Sequence, residues 1–266
     1  MALDGDGNLA VADELNHRVQ VLCCASGACL RTIGSKGSGA GQFNKPYGIA
    51  FDGAGNIIVS ELGNHRIQIL RYSDGCPIRT IGSKGSAQGQ LNEPCGVAVD
   101  GRGHVFVHDA YINGRIQVFR LSDGAFVRAL GSKGSGPGQL EREGSIGFDA
   151  QGNIVVADGG NHRLLVLRYS DGALLRTIGA PGAGDGQFNY PVGFAFDGAG
   201  HIVVADCANH RVQFLRYADG SHVKTIGGLG SAPGQFNRLY GVAIDGTGRV
   251  FVSDCLNHRI QVLQCA

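Results

Sequence analysis

Five histidines recur in one local setting, Asn-His-Arg, beginning at Asn16, Asn64, Asn161, Asn209 and Asn257. Histidines at a fixed spacing are candidates for a metal centre, because neutral imidazole is a common ligand for zinc, copper and iron. Each copy is also preceded by an acid, Asp13, Glu61, Asp158, Asp206 and Asp254, and contains an arginine, Arg18, Arg66, Arg163, Arg211 and Arg259. A carboxylate and a guanidinium flanking one short turn can form a charge-assisted hydrogen bond that pins it. Asn113-Gly114-Arg115, with Asp109 before it, is a degenerate sixth copy, and the six together keep a period of 48 residues with one step of 49.

A unit that short cannot enclose a core of its own, so neighbouring units must bury one another's faces. From Gln42 to Gly89 the unit holds four short β-rich runs separated by turn residues at Asp52-Gly53-Ala54-Gly55-Asn56 and Ser73-Asp74-Gly75. No run carries a helical period. Four antiparallel strands repeated radially make the blade of a β-propeller. The Asn-His-Arg motif then opens the third strand from the axis. At about 4.8 Å per strand its histidines stand about 10 Å outside the innermost ring, too far to converge on one ion. No metal site is expected from them, and the acid–Arg pairs are read as structural.

The pattern Tyr-Gly-Ile-Ala-Phe-Asp (47–52), then Gly-Asn-Ile-Ile-Val and Asn-His-Arg-Ile-Gln, resembles the NHL repeat over essentially the whole chain. Tryptophan-bearing propeller repeats fit badly, since the chain has no Trp. The expectation is an all-β, six-bladed propeller forming one domain over residues 1–266. Its first blade is short on its inner strand and its last lacks the outer one, so that closure rests on packing of blades one and six. Such ends also read as those of a piece of a longer NHL protein.

The resemblance brings an enzyme with it. A peptide-amidating lyase resembles this fold with zinc at the channel, and similar gluconolactonase and paraoxonase propellers hold calcium there, which implies His, Asp, Glu or Asn on the inner strands. Here those strands are apolar, as in Gly48-Ile49-Ala50-Phe51 and Gly241-Val242-Ala243-Ile244. The aspartates that end them, such as Asp52 and Asp245, sit beside glycine turns as turn-formers do. The reading is therefore a non-enzyme with no catalytic residue and no cofactor. A metal-dependent lyase or lactonase is the alternative.

A net charge of +1 creates no global field for nucleic acid or anionic membrane. The N-terminus carries no signal-peptide pattern and no apolar run has membrane-spanning length, so the expected location is cytoplasmic and no membrane partner is expected. The eight cysteines lack paired zinc spacing. Free thiols are expected, with a Cys207–Cys255 bond or shared metal as the alternative.

What remains is binding, on the face where the b–c loops and the d–a linkers emerge (strand a innermost, d outermost). Blade three departs most from the repeat: an extra residue in Ala110-Tyr111-Ile112-Asn113, His108 where others have Ala or Ser, and Glu141-Arg142-Glu143 in the linker that follows. His108, Tyr111, Ile112 and Arg142 form the expected recognition patch, and Tyr47, Tyr190 and Tyr240 are placed at the channel mouth. A protein partner is expected and no small-molecule substrate. By resemblance to tripartite-motif proteins it is the substrate of a ubiquitin-ligase-type recognition module, whose RING is absent from this chain. The alternative is single-stranded RNA, held by Lys36, Lys45, Lys84, Lys133 and Arg238 with tyrosines as stacking platforms.

Overall fold

The computed structural model describes residues 1–109 and 111–264. Ala110 and Cys265, both part of the sequence reading, lie outside them. The chain divides into two compact units, Met1–Phe148 and Asp149–Ala266. It is all-β: a six-bladed propeller whose blades are antiparallel sheets. Among the described residues no helix is long and apolar enough to cross a membrane.

In the first unit, blade one runs through Ala2–Leu3, Asn8–Asp13, Arg18–Cys23 and Cys29–Ile33, strands a to d in order. Blade two runs through Pro46–Phe51, Asn56–Glu61, Arg66–Arg71 and Pro77–Ile81, and blade three through Val97–Val99, His104–Asp109, Arg115–Arg120 and Phe126–Leu130. Strand Ile146–Phe148, the inner strand of blade four, also belongs to this unit. The second unit holds Ile154–Asp158, Arg163–Leu167 and Leu174–Ile178 of blade four, then His201–Asp206, Arg211–Arg216 and His222–Gly227 after Pro191–Phe196 in blade five. Blade six has three strands among the described residues, Leu239–Ile244, Arg249–Asp254 and Arg259–Gln264. The short inner strand of blade one and the three-stranded blade six agree with the sequence reading.

Burial explains the composition of each strand. Ile57, Ile58 and Val59 of strand b are all buried, because a sheet covered on both faces needs a continuous apolar run instead of alternation. Strand d is outermost and half-covered, so in blade two Ile81 is buried while Ile78 is exposed. Core residues come from adjacent blades: Val21 and Ile33 of blade one pack with Phe43, Ile49 and Val59 of blade two and its approach.

The a–b turns are built as expected. Asp52 Oδ1 accepts from the Ala54 and Asn56 N–H groups at 2.8 and 3.0 Å, and Asp197 and Asp245 repeat the arrangement. The acid–Arg pairs are formed in all six blades, with Nε–carboxylate distances from 2.5 to 3.0 Å. They reach further than one turn. Glu61, fully buried, accepts from Arg66 Nε (2.5 Å), Asn64 Nδ2 (2.5 Å), Gln68 Nε2 (2.8 Å) and the backbone N–H of Asn44 (2.9 Å). The other end of the Arg66 guanidinium donates to the carbonyls of Ser38, Gly39 and Gln42 in the incoming linker. Asp206 with Arg211 repeats each of these contacts in the second unit.

Removing one partner of a buried, hydrogen-bonded ion pair leaves the other charge uncompensated, at a cost of about 3–5 kcal/mol. Glu61→Ala and Asp206→Ala should each lower stability by about that amount in chemical denaturation. Asp74→Ala, at an exposed c–d turn ion pair, should cost no more than about 1 kcal/mol. Equal losses at the three positions would remove the clamp's special standing.

Candidate functional site: loops and linkers of the top face

Each Asn-His-Arg histidine that follows a short 3-10 turn caps it in the left-handed region, at φ 52–57°. That turn aims the ring at the next linker. Nδ1 of His17, His65, His162 and His210 accepts the backbone N–H of Lys45, Glu93, Tyr190 and Arg238 at 3.1–3.2 Å. These imidazoles are therefore inter-blade ties, a role the sequence signals only through a constant offset of 28 residues. Among the described residues no group of three or more His, Cys, Asp or Glu is placed to hold a metal ion. The described cysteines are thiols with no disulfide among them, and Cys207 is buried while Cys255 is exposed.

The residues tied by the histidines are themselves unusual. Lys45, Glu93, Arg142, Tyr190 and Arg238 occupy equivalent linker corners, all with φ between 53 and 65°. Their carbonyls are engaged as well: Lys45 O accepts from Leu62 N–H, Tyr190 O from Cys207 N–H and Arg238 O from Cys255 N–H. Tyr190 therefore belongs with Lys45 and Arg238 at a linker corner and not with Tyr47 and Tyr240, which lie in strand a of blades two and six. Tyr190 lies one position before strand Pro191–Phe196, so by sequence spacing alone it is hard to tell from a residue of the inner strand.

Blade three keeps half of the tie. Asn113 Nδ2 still donates to Gly85 O (3.0 Å) and Asp109 (2.9 Å), and Arg115 to Ala87 O and Gln90 O. Gly114, however, offers no imidazole to Arg142, and the Lys133 backbone has moved into the space a Cβ at Gly114 would need. Tyr111 and Ile112 stand out from this loop, 40% and 43% exposed, and Lys133 Nζ donates to Ile112 O at 3.4 Å. Arg142 is exposed. His108 is not part of that surface: it is fully buried, with Nδ1 2.9 Å from Gly144 O. Ser60 makes the corresponding contact to Cys95 O one blade earlier, so His108 is a larger version of an inner-strand tie.

Charge on this face is mixed. Lys36, Lys84 and Lys133 are exposed where each linker leaves strand d, but Pro181 and Leu229 take that position in the second unit. Glu14 is held above the usual carboxylate range, first by burial and then by Glu143, with Lys45 opposing.

Residues 43–70, 188–213 and 236–263 match the family model described as NHL repeat. Three stretches of the chain carry the NHL repeat, and the chain is a six-bladed β-propeller. No curated protein matches the sequence. Among solved structures, this NHL chain is similar to a protein of unknown function from Bacteroides thetaiotaomicron (17% identity, TM-score 0.74, 97% of this chain and 67% of that one). It is also similar to streptogramin B lyase (14%, TM-score 0.64, 100% and 82%) and to a chain of the nidogen/laminin complex (18%, TM-score 0.67, 93% and 85%). Identities this low establish a shared fold.

Two predictions test the ties. Gly114→His restores the NHL motif in letters, yet the Lys133 backbone fills the site and Gly114 sits at φ 67°. It should therefore destabilise by about 1–3 kcal/mol, and a rise in melting temperature would refute the packing argument. The second concerns pH. Burial foremost, then Lys84, lowers the His65 pKa from its ordinary 6.5, against Glu93 and Asp109. A depressed folded pKa means the neutral ring is the stabilising form, so its contribution is complete above 6.5 and disappears as pH falls through the folded value. Asp254 behaves alike lower down. Burial raises its pKa, but Asn237 N–H, Asn257, Arg259 and Gln261 outweigh it and hold the carboxyl below 3.8. Melting temperature should fall in two stages on acidification, and His65→Gln should flatten the first.

Proposed function

We propose that this NHL propeller is a non-catalytic protein-binding module whose contact surface is the b–c loop of blade three together with the linker that follows it. One observation carries the reading. At this linker alone among the described ones the motif histidine is replaced, and Tyr111 and Ile112 of the b–c loop and Arg142 of the linker are each exposed. Aromatic and Arg side chains dominate contact energies at protein interfaces. The inner strands support the choice of binding over catalysis, since Ile49, Val97, Ile146 and Val242 are buried apolar residues. A related fold is found in the nidogen/laminin complex and in a lyase, so the fold by itself is compatible with either class. Cysteines present as thiols fit action in a reducing compartment.

Pull-down with the intact chain and with Tyr111→Ala/Ile112→Ala/Arg142→Ala tests it. The triple variant should weaken partner binding by at least about 1–2 kcal/mol, with Asp171→Ala on the opposite face neutral. Salt separates the macromolecular classes. A protein partner should show shallow dependence, whereas RNA held by Lys36, Lys84 and Lys133 should show a log–log slope of about −0.7 per phosphate contacted. A steep slope abolished by those three Lys→Ala changes would replace the protein-partner reading with RNA.

A further inference from the structure

On the face of the a–b and c–d turns, one constellation of side chains joins blade one to blade two and recurs in the second unit. The Tyr72 N–H donates to Gly55 O, and its hydroxyl crosses to Asp4 Oδ2 of blade one at 2.8 Å. The ring meets Phe51 edge-on at 4.8 Å, and the Arg31 guanidinium of blade one lies 3.9 Å from its centre. Between blades four and five, Tyr217 donates its hydroxyl to Asp149 Oδ2 at 2.9 Å, its ring meets Phe196 at 5.0 Å, and Arg176 lies 4.3 Å from the ring centre.

Between blades two and three the frame persists without the ring. Leu121 stands in the tyrosine's place, its N–H on Gly103 O at 2.8 Å, and Val99 stands in that of Phe51 and Phe196. Arg79 holds the strand-d position of Arg31 and Arg176, and reaches across to Ser122 O and Asp123 O at 2.8 Å each. Asp52 accepts from the N–H groups of Ala54 and Asn56 and, through Oδ2, from Asn56 Nδ2 at 2.6 Å, but among the described residues it has no hydroxyl to accept from. Asp52, Leu121 and Ser122 line a cleft of about 510 Å³, within the roughly 300–1,000 Å³ of small-ligand sites. The cleft beside Tyr72 is as large, about 590 Å³. The difference lies in the acceptor: Asp4 is served by a phenol of the chain, and Asp52 is not.

We propose that the cleft between blades two and three binds a phenol group, the chemistry a tyrosine carries, with its hydroxyl on Asp52 Oδ2 and its ring against Leu121 beside Arg79. A hydroxyl donating to an ionised carboxylate is a strong hydrogen bond, and a guanidinium over the ring adds cation–π attraction. Charges at the rim are matched internally, Arg120 with Asp123 at 2.6 Å and His104 with Asp100 at 2.8 Å, which favours a neutral ligand over an ion. The cleft lies at the opposite end of the strands from the blade-three b–c loop and does not depend on the function assigned to that loop.

The probes are N-acetyltyrosinamide, N-acetylphenylalaninamide and p-cresol, titrated into the 266-residue chain and followed by amide chemical shifts. Saturable binding of the tyrosine amide at about 1 mM or below is expected, with shifts at Asn56, Gly103 and Ser122. Loss of one hydrogen bond to a charged group should weaken the phenylalanine amide about tenfold. Leu121→Tyr supplies ring and hydroxyl from the chain itself, so it should abolish binding and raise the melting temperature. The comparison of the two amides needs only the unaltered protein, so a variant that misfolds leaves the test intact. If p-cresol binds as well as the tyrosine amide, the cleft takes free phenols; if it binds more weakly, the cleft takes a tyrosine within a peptide. No saturable binding, equal affinities for the two amides, shifts outside the cleft, or unchanged binding by folded Leu121→Tyr overturns the proposal.

Discussion

The carboxylate that ends strand b is the group on which the rest of each blade depends. Glu61, Asp109, Asp158, Asp206 and Asp254 are buried, and an ionised carboxylate out of water is tolerable only when its lone pairs are filled. Each is met by the motif's Arg and Asn. In four blades the carboxylate also takes the backbone N–H of the linker asparagine. This explains why the position after strand b's apolar run is an acid in every unit while the residues around it drift. It also explains the preference for Arg, whose planar fork can serve the carboxylate with Nε and linker carbonyls with its terminal nitrogens. A lysine has no such second arm.

Because the linker is grasped by the arginine of the blade it enters and by the histidine of the blade it leaves, order passes from one repeat to the next. Stability in such arrays is set by nearest-neighbour interfaces as much as by the units themselves. Blade three shows that the two grips are separable. Its Asn113 and Arg115 hold while Gly114 lets the linker backbone settle inward. The loop that gains a residue there does so without disturbing the carboxylate cluster, since Asp109 keeps its Arg, Asn and Gln partners.

The repeat and the acid–Arg pairing, which recur six times, and the four-stranded blade, which recurs five times among the described residues, are legible in the sequence because each is local. Three features are not. The histidine tie joins residues in different blades, and no local pattern announces it. His108 is a departure from the Ala or Ser of the other blades and so reads as part of the variable surface, whereas its strand is covered on both faces and buries Val105, Phe106, Val107, His108 and Asp109. Tyr190 was grouped with the wrong tyrosines because a left-handed corner and the start of a strand lie within two residues of each other. In each case the missing information was the direction in which a side chain leaves a backbone whose course was otherwise anticipated.

The left-handed linker corners carry an evolutionary consequence. At φ near +55° an unbranched residue with a Cβ carries a steric penalty, and at four of the five corners it is offset by a backbone tie from the motif histidine that makes no reference to the side chain. Lys, Glu, Arg, Tyr and Arg can therefore succeed one another at the five corners with little difference in the stability of the frame. A site whose occupant is nearly neutral for folding is open to selection on other grounds. The corners can change their chemistry by single substitutions, one blade at a time, without altering the strands they lead into.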